Sequence, residues 1–540
     1  MYTLHEAVAH HARTKPHAPA LADANGRMSY AELHRHASLA AAGLRAHGMR
    51  AGDVVAVQLP NTAAFVVTVL AAGMLGASVQ MLHMPYRRAE LSSLLRHGKA
   101  AAFVGLTRFK DESPLATVAA LGLVRLLVQA PAVALAESPA GAPAGNPGGA
   151  VSWADLLQAG EASPLPALDP VAPGSRYVLL HTSGTTAEPK GVPVSHSQFI
   201  GNAASAIGPL GVSAADVLLP AAPITHLYGL FVLELSLLAG ACVSLLPVFT
   251  PEALIDCVHR DRVTAIFAGP AHFKPLLAQP PAESPALAGL RLVCLSGTAV
   301  PHELALAVES RLPRGKVILL WGMSELQAGS YGRPDDQAEL RLKTAGRPSP
   351  GTELRIQVND EDVGPGIEGR LKVRGPSLFS GYLDNPEATA AAFSDGWFDT
   401  GDLGYLTPEG ALVLTGRTKE IINRGGVKFN PVDVEAIIDR LPGVMRCAVV
   451  PMPDPVLGER ACAFVQVADP ARDASLVTLA QVTTALERAG IARFKWPERL
   501  ELISDMPLTP TQKVMRGRLT ARLASQARGG PHQSPGDAIQ

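Results

Sequence analysis

The stretch YVLLHTSGTTAEPKGVPVSH, Tyr177 to His196, decides how this chain is read. An apolar run of strand composition, Tyr177 to Leu180, is cut off by small, hydroxylated or imidazole-bearing residues from His181 to Thr186. Thr182, Ser183, Thr185 and Thr186 offer hydroxyl donors, Gly184 lets backbone N–H groups approach closely, and Lys190 adds a fixed positive charge. Such a turn suits a polyanion, a triphosphate above all. Taken alone, SGTT reads more simply as a solvated turn, and it is no Walker A loop, because Pro189 precedes Lys190 and Gly191 follows it.

Two distant stretches ask for the same ligand. In KVILLWGMSE, Lys316 to Glu325, an apolar strand ends in Trp321, Gly322, Met323, Ser324 and Glu325. The indole can lie against a purine, the Ser324 hydroxyl can bind an α-phosphate, and the Glu325 carboxylate is a hard oxygen ligand for Mg2+, which needs few protein ligands when phosphate oxygens complete its shell. In DGWFDTGDLGYLTPEGALVLTGRTKE, Asp402 follows Gly401 and can accept both hydroxyls of a ribose, while Arg417 at a strand end can reach ribose or phosphate.

Together HTSGTTAEPKG, WGMSE and the long run through GRTKEIINRGGVKFNPVDVE resemble the adenylate-forming superfamily, the acyl- and aryl-CoA synthetases with their luciferase and nonribosomal-adenylation relatives. The resemblance implies an α/β fold: a large N-terminal domain (1–418) of αβαβα-layered sheets plus a β subdomain, a small mobile α+β C-terminal domain (419–525), and a disordered tail (526–540). It places Gly297, Thr298, Ala299 and Leu414 with the bound nucleotide, and makes Lys419 the hinge between domains. Gly425, Gly426 and Lys428 would line a tunnel for a slim thiol arm, where missing side chains leave room. His226, in PAAPITHLYGLF, falls where the family has a His or aromatic between acid carboxylate and incoming thiol, with Leu227, Tyr228, Gly229, Leu230, Phe273, Ser296 and Met323 shaping an apolar acid pocket. Lys513, in MPLTPTQKVMRGRL, matches the family lysine that bridges substrate carboxylate and α-phosphate. Lys513, Glu325, His226, Thr185 and Lys190 are therefore the expected catalytic set. Three positions depart from the pattern: Ala187 for a frequent Gly, Asn423 for a Lys in several relatives, and Gln512 for the commonest Gly.

Length and composition allow a globular chain of two to four domains or subdomains. In 540 residues, 47% are hydrophobic and 18% charged, so a large buried core is available. Basic and acidic residues nearly cancel, 47 against 48, with no block of like charge, which gives no nucleic-acid footprint. Five scattered cysteines, Cys242, Cys257, Cys294, Cys447 and Cys462, show no metal spacing and read as reduced core residues of a cytoplasmic protein. The N-terminal segment has no basic-then-apolar signal architecture. Two apolar runs, Ala63 to Leu82 and Leu227 to Phe249, approach the roughly 20 residues a membrane span requires. Each splits at a glycine, Gly76 or Gly240, into a helix and a strand, so no integral membrane association is expected.

From Leu4 to about Gly105 the pattern alternates helix and strand, with a helix from Tyr30 behind the cap Ser29, strands at Val54 to Leu59, Ser78 to Leu82 and Ala101 to Val104, and helices between them. Gln129 to Gly160 reads as a poorly ordered surface excursion. Val263 to Phe273 and Leu290 to Val300 each read as a buried strand running into a turn, and VMRCAVVPMPDPVLGERACAFVQV as a βαβ-like unit. The resulting expectation is ATP-dependent activation of a carboxylic acid to acyl-AMP, with Mg2+, and transfer to coenzyme A. The alternatives are loading of the phosphopantetheine arm of an acyl carrier protein, and an inactive homologue with a binding role.

Overall fold

The computed structural model describes residues 3–133, 147–166, 170–182, 190–277, 285–424, 427–454, 456–473, 475–509 and 513–528. Strands Val54–Gln58, Ser78–Met81, Ala102–Gly105 and Leu126–Gln129 form a parallel sheet. The hairpin Arg176–Thr182 and Lys190–Ser195 extends that sheet at one edge. A second sheet is built on the parallel strands Cys242–Ser244, Val217–Pro220, Ala265–Ala268, Leu292–Leu295 and Lys316–Met323. Parallel strands buried on both faces need no polar alternation, which is why these segments read as unbroken apolar runs.

Between the sheets lies the helix Leu227–Ala239. Its face carrying Tyr228, Phe231, Val232 and Leu235 packs on Leu218, Phe267 and Cys294 of the second sheet. Its opposite face, with Leu230, Leu233 and Leu237, joins the core that includes Val55, Val57 and Val178 of the first. A helix apolar all round is the signature of such a site. Further helices cover the outer faces, through Leu91, Leu94 and Val118 on one sheet and Leu254, Val258 and Val308 on the other, completing five α and β layers. Gly240 closes the central helix at φ 72°, a left-handed cap that costs a glycine nothing and turns the chain into strand Cys242–Ser244. Among the described residues no helix is long and apolar enough to cross a membrane.

A small antiparallel sheet follows, with Trp397–Leu406 paired to Gly369–Arg374 and Leu412–Arg417. Sheet membership then changes between Arg417 and Ile422: Ile422–Arg424 pairs with Gly458–Gln466 in a third body with its own core of Val434, Ile438, Val449 and Val482.

Four sequence expectations are corrected. Trp153–Ala162 is a helix rather than part of a disordered excursion. It lies so close to helix Tyr30–Ala46 that a Cβ on Gly43 would sit 2.0 Å from the Leu156 carbonyl oxygen, and one on Gly160 2.1 Å from that of Leu39. Arg446–Asp454 and Gly458–Gln466 form an antiparallel hairpin, because a link this short cannot host the crossover that a parallel pair requires. Strand Ala265–Ala268 runs into the helix Pro270–Leu277, with Pro at its first turn, rather than a simple turn. The last helix, Arg516–Arg528, continues into the expected tail, where Arg499 Nη2 donates to Gln526 Oε1 at 2.8 Å.

Candidate active site

The glycine-hydroxyl turn opens from a hairpin mouth in which Thr182 pairs with Lys190 across the ladder. Ser183, Gly184, Thr185 and Thr186, with Ala187, lie outside the described residues. Lys190, at the start of the return strand, holds its ammonium 4.5 Å from the centroid of the Tyr382 ring. The Tyr382 hydroxyl donates to Glu325 Oε1 at 2.9 Å. Tyr382 therefore ties Lys190 to the carboxylate of WGMSE. Its segment is itself braced: Phe379 N donates to the Glu325 carbonyl at 2.7 Å and Leu383 N to that of Gly191 at 2.9 Å.

Glu325 is buried, and burial raises its pKa, opposed by the Tyr382 hydrogen bond and by the charges of Arg417 and Lys190. A divalent cation would offset that desolvation, so the carboxylate fits the Mg2+ role chemically. Among the described residues no group of three or more His, Cys, Asp or Glu side chains is arranged to hold a metal. The turn that presents Glu325 depends on Gly322, where a Cβ would lie 2.0 Å from the Gln327 carbonyl oxygen.

Trp321 and Asp402 meet directly. The indole Nε1–H donates to Asp402 Oδ2 at 2.8 Å, and Arg417 Nε donates to Asp402 Oδ1 at 2.7 Å. The Asp402 carboxylate raises the Arg417 pKa further, and the guanidinium stays half open, 53% exposed. Asp402 and Arg417 are ladder partners on adjacent antiparallel strands, which sets this pairing from the backbone. Gly322, Met323 and Ser324 keep partial exposure, and Leu414, the ladder partner of Gly404, is exposed.

Lys513 enters from the C-terminal body. Thr509 N donates to the Lys513 carbonyl at 2.7 Å and Lys513 N to Thr509 Oγ1 at 3.1 Å, which closes a tight turn under the lysine. Gln512 lies outside the described residues. Lys513 keeps exposed surface, yet desolvation by the walls around it, and then the positive charge of Arg417, hold its pKa below the ordinary lysine value. Asp402, Glu420 and Glu325 act on it in the opposite sense, so the lysine stands within electrostatic reach of both Asp402 and Glu325. Behind it, Arg516 forks onto Glu435 through Nη1 at 2.5 Å and Nη2 at 2.8 Å, and its Nε lies 3.3 Å from Glu420, next to Lys419.

His226 caps the central helix, with Tyr228 N donating to its Nδ1 at 3.3 Å. Burial lowers the His226 pKa well below the usual value, and Lys513 and His83 lower it further. A neutral imidazole thus faces the site. Gly297 takes φ 94°, and Thr298 and Ala299 after it are exposed at the end of strand Leu292–Leu295, with Ser296 buried behind them. The expected acid pocket separates into two groups. Leu227 and Tyr228 sit at the helix start beside His226, with the Tyr228 hydroxyl donating to the Cys294 carbonyl at 2.9 Å, and Gly229 is pressed against Pro223, whose carbonyl oxygen would lie 2.3 Å from an added Cβ. Leu230 and Phe273 are wholly buried in separate core clusters, which leaves neither with surface for a ligand in this arrangement. Lys419 is exposed in a single turn, Thr418–Glu420. Gly425, Gly426 and the Lys428 side chain lie outside the described residues.

Tyr382 is a residue of the candidate site that sequence reading passed over. Its signal was present in SGYLDNPEAT, a tyrosine behind a glycine, but nothing local says that it faces Lys190 and Glu325, whose positions are far away in the chain.

Both domains find counterparts among known proteins. The model of the AMP-binding enzyme family matches residues 8–383, and that of the AMP-binding enzyme C-terminal domain matches residues 433–513. A feruloyl-CoA synthase of an Amycolatopsis species is 32% identical over 516 residues, 95% of this chain and 97% of that protein. A protein of Mycobacterium tuberculosis described as salicyl-AMP ligase and salicyl-S-ArCP synthetase is 34% identical over 96% of this chain and 91% of its own length. Among solved structures, ATP-bound MatB from Rhodopseudomonas palustris superposes with a TM-score of 0.80 at 26% identity, over 96% of this chain and 98% of that one.

Proposed function

We propose, because this chain belongs to the AMP-binding enzyme family of adenylate-forming enzymes, that it activates a carboxylic acid as its acyl-adenylate and passes the acyl group to the thiol of coenzyme A. The observation that carries this reading is the convergence of Lys190, Glu325, Asp402, Arg417 and Lys513, drawn from both domains, on one site.

The chemistry asks for alignment and charge neutralisation rather than a protein nucleophile. One carboxylate oxygen of the acid attacks the α-phosphorus of ATP, the bond to the bridging oxygen breaks, and pyrophosphate departs. Lys190 and the hydroxyls of Thr182, Ser183, Thr185 and Thr186 hold the outer phosphates. Lys513 neutralises charge growing on the α-phosphate. Glu325 would hold Mg2+, which, when bound, screens the phosphate oxygens from one another. Asp402 anchors the ribose once Arg417 turns toward sugar or phosphate, and Trp321 is fixed beside it through the shared carboxylate. Rotation about Lys419 then withdraws Lys513 and brings in Gly425 and Gly426. The thiolate attacks the acyl carbon, and AMP leaves with the electron pair of the mixed-anhydride bond.

The substrate class we infer is an aromatic or otherwise apolar monocarboxylic acid. Neutral His226 is followed directly by Leu227 and Tyr228, an apolar run that suits an uncharged acyl or aryl group. A carrier-protein thiol is the second reading for the acceptor, favoured by the description of the mycobacterial relative. A cytoplasmic setting belongs to the same proposal, supported by five free, buried cysteines. The test is AMP release across a panel of aryl and alkyl monocarboxylates, with free CoA, with holo-carrier protein, and with neither. Acid-dependent pyrophosphate exchange that becomes thioester formation with CoA supports the reading; no exchange with any acid overturns it.

A further inference from the structure

The loop that presents His226 is pinned from the other sheet. Thr225, buried, has its Oγ1 2.8 Å from Nδ1 of His83, which is also buried and follows the strand Ser78–Met81. The His83 ring lies 6.2 Å from that of His226, tilted by 34°, and 5.3 Å from the ring of Tyr86. Two buried amides at the end of strand Val54–Gln58 brace both partners. Gln58 Nε2 donates to the His83 carbonyl at 3.0 Å and to that of Tyr86 at 3.1 Å. Asn61 Nδ2 donates to the carbonyls of Pro220 at 3.3 Å and Ala222 at 3.1 Å, and its Oδ1 accepts from Ile224 N at 2.7 Å.

A histidine confined this way would ordinarily be core filler. Two observations argue otherwise. The backbone of the loop at Pro220, Ala222 and Ile224 is already held by Asn61, so the contact between His83 and Thr225 adds only side-chain orientation, at the residue next to His226. An apolar side chain would also fill the space without the desolvation that a buried imidazole carries. Burial keeps both rings neutral, with His83 lowered to about 4 and His226 well below its usual value, so they can stand side by side without repulsion.

We propose that His83 is a positioning residue: through Thr225 it fixes the imidazole of His226 between the acid carboxylate and the approaching thiol. This rests on the acyl-pocket reading of His226 given above. The test compares Thr225→Val, which keeps the shape and removes the hydroxyl, with His83→Leu and His83→Asn, whose amide places a polar atom at the position of Nδ1. Each is made in the wild-type and His226→Ala backgrounds. The readouts are acyl transfer from preformed acyl-adenylate to thiol, the KM for acid in pyrophosphate exchange, and melting temperature.

Thr225→Val and His83→Leu are expected to slow transfer about tenfold and raise the KM, His83→Asn to recover to within about threefold of wild type, and neither loss to deepen more than about twofold once His226 is alanine. Wild-type transfer rates in Thr225→Val and His83→Leu, or losses that multiply in full on His226→Ala, overturn the assignment. Thr225→Val carries the test if His83→Leu melts early. Failure of the activity itself is separately visible, as a wild-type protein with no acid-dependent pyrophosphate exchange.

Discussion

Gly416 and Asn430 meet across the junction of the two domains so closely that a Cβ on Gly416 would lie 1.2 Å from the Asn430 amide nitrogen. Asn430 can swing aside only by releasing Val432 N, which donates to its Oδ1 at 3.1 Å. Gly416→Ala should therefore disfavour the docked arrangement in which Lys513 reaches the site. We expect acid-dependent pyrophosphate exchange to fall about tenfold while thiol capture of preformed acyl-adenylate changes little. An equal loss in both half-reactions would count against a contact specific to this arrangement.

Lys513→Ala removes the only charge that the C-terminal loop is proposed to contribute to the first half-reaction. Adenylate formation from acid and ATP should become undetectable, with transfer from synthetic acyl-adenylate largely spared. Loss of both would sink the division of labour between the two domain positions.

Tyr382→Phe keeps the ring under the Lys190 ammonium and deletes the hydroxyl that Glu325 Oε1 accepts. Leaving a buried carboxylate oxygen without its donor costs about 1–3 kcal/mol. The KM for magnesium-ATP should rise several-fold with the KM for acid little changed; a variant with unaltered nucleotide kinetics would reduce Tyr382 to packing.

Glu234 offers a pH signature outside the site. It is wholly buried on the central helix, accepts from Gln327 Nε2, and burial pushes its carboxyl up from 4.5 to about 8. Between those values the folded chain binds a proton that the unfolded chain has lost, so stability falls as pH rises through this window and levels above it. Glu234→Gln keeps an acceptor for Gln327 Nε2 and supplies a donor for Gln327 Oε1, which has no partner among the described residues. Melting curves from pH 5 to pH 8 should flatten in the variant relative to wild type. Parallel curves would show that Glu234 does not titrate in the core.

Part of the candidate site could be read from the chain because its residues lie in short runs. WGMSE and TGDLG each place a carboxylate and strand backbone within a few residues, where the local chain path fixes them. Asp402 and Arg417 were legible for a related reason: one hairpin makes them ladder partners. Tyr382, His83 and Asn61 were not, because their roles exist only across sheets, as when Asn61 binds the carbonyl of Ala222. The helix Trp153–Ala162 was hidden behind alanine- and glycine-rich composition that looks like a linker, yet those small residues are what let it approach helix Tyr30–Ala46 at backbone distance. The hairpin at Arg446–Gln466 went unread because strand composition alone does not distinguish parallel from antiparallel pairing.

Arg516 clamps Glu435 and lies against Glu420, so the body that carries Lys513 is tied to the residue next to Lys419. If the proposed swing admits the thiol, Lys513 would leave with the body that carries it, and return of pyrophosphate to the adenylate would lose that charge while thiol capture proceeds. The order of the two half-reactions, though not their overall direction, would thus come from mechanical coupling.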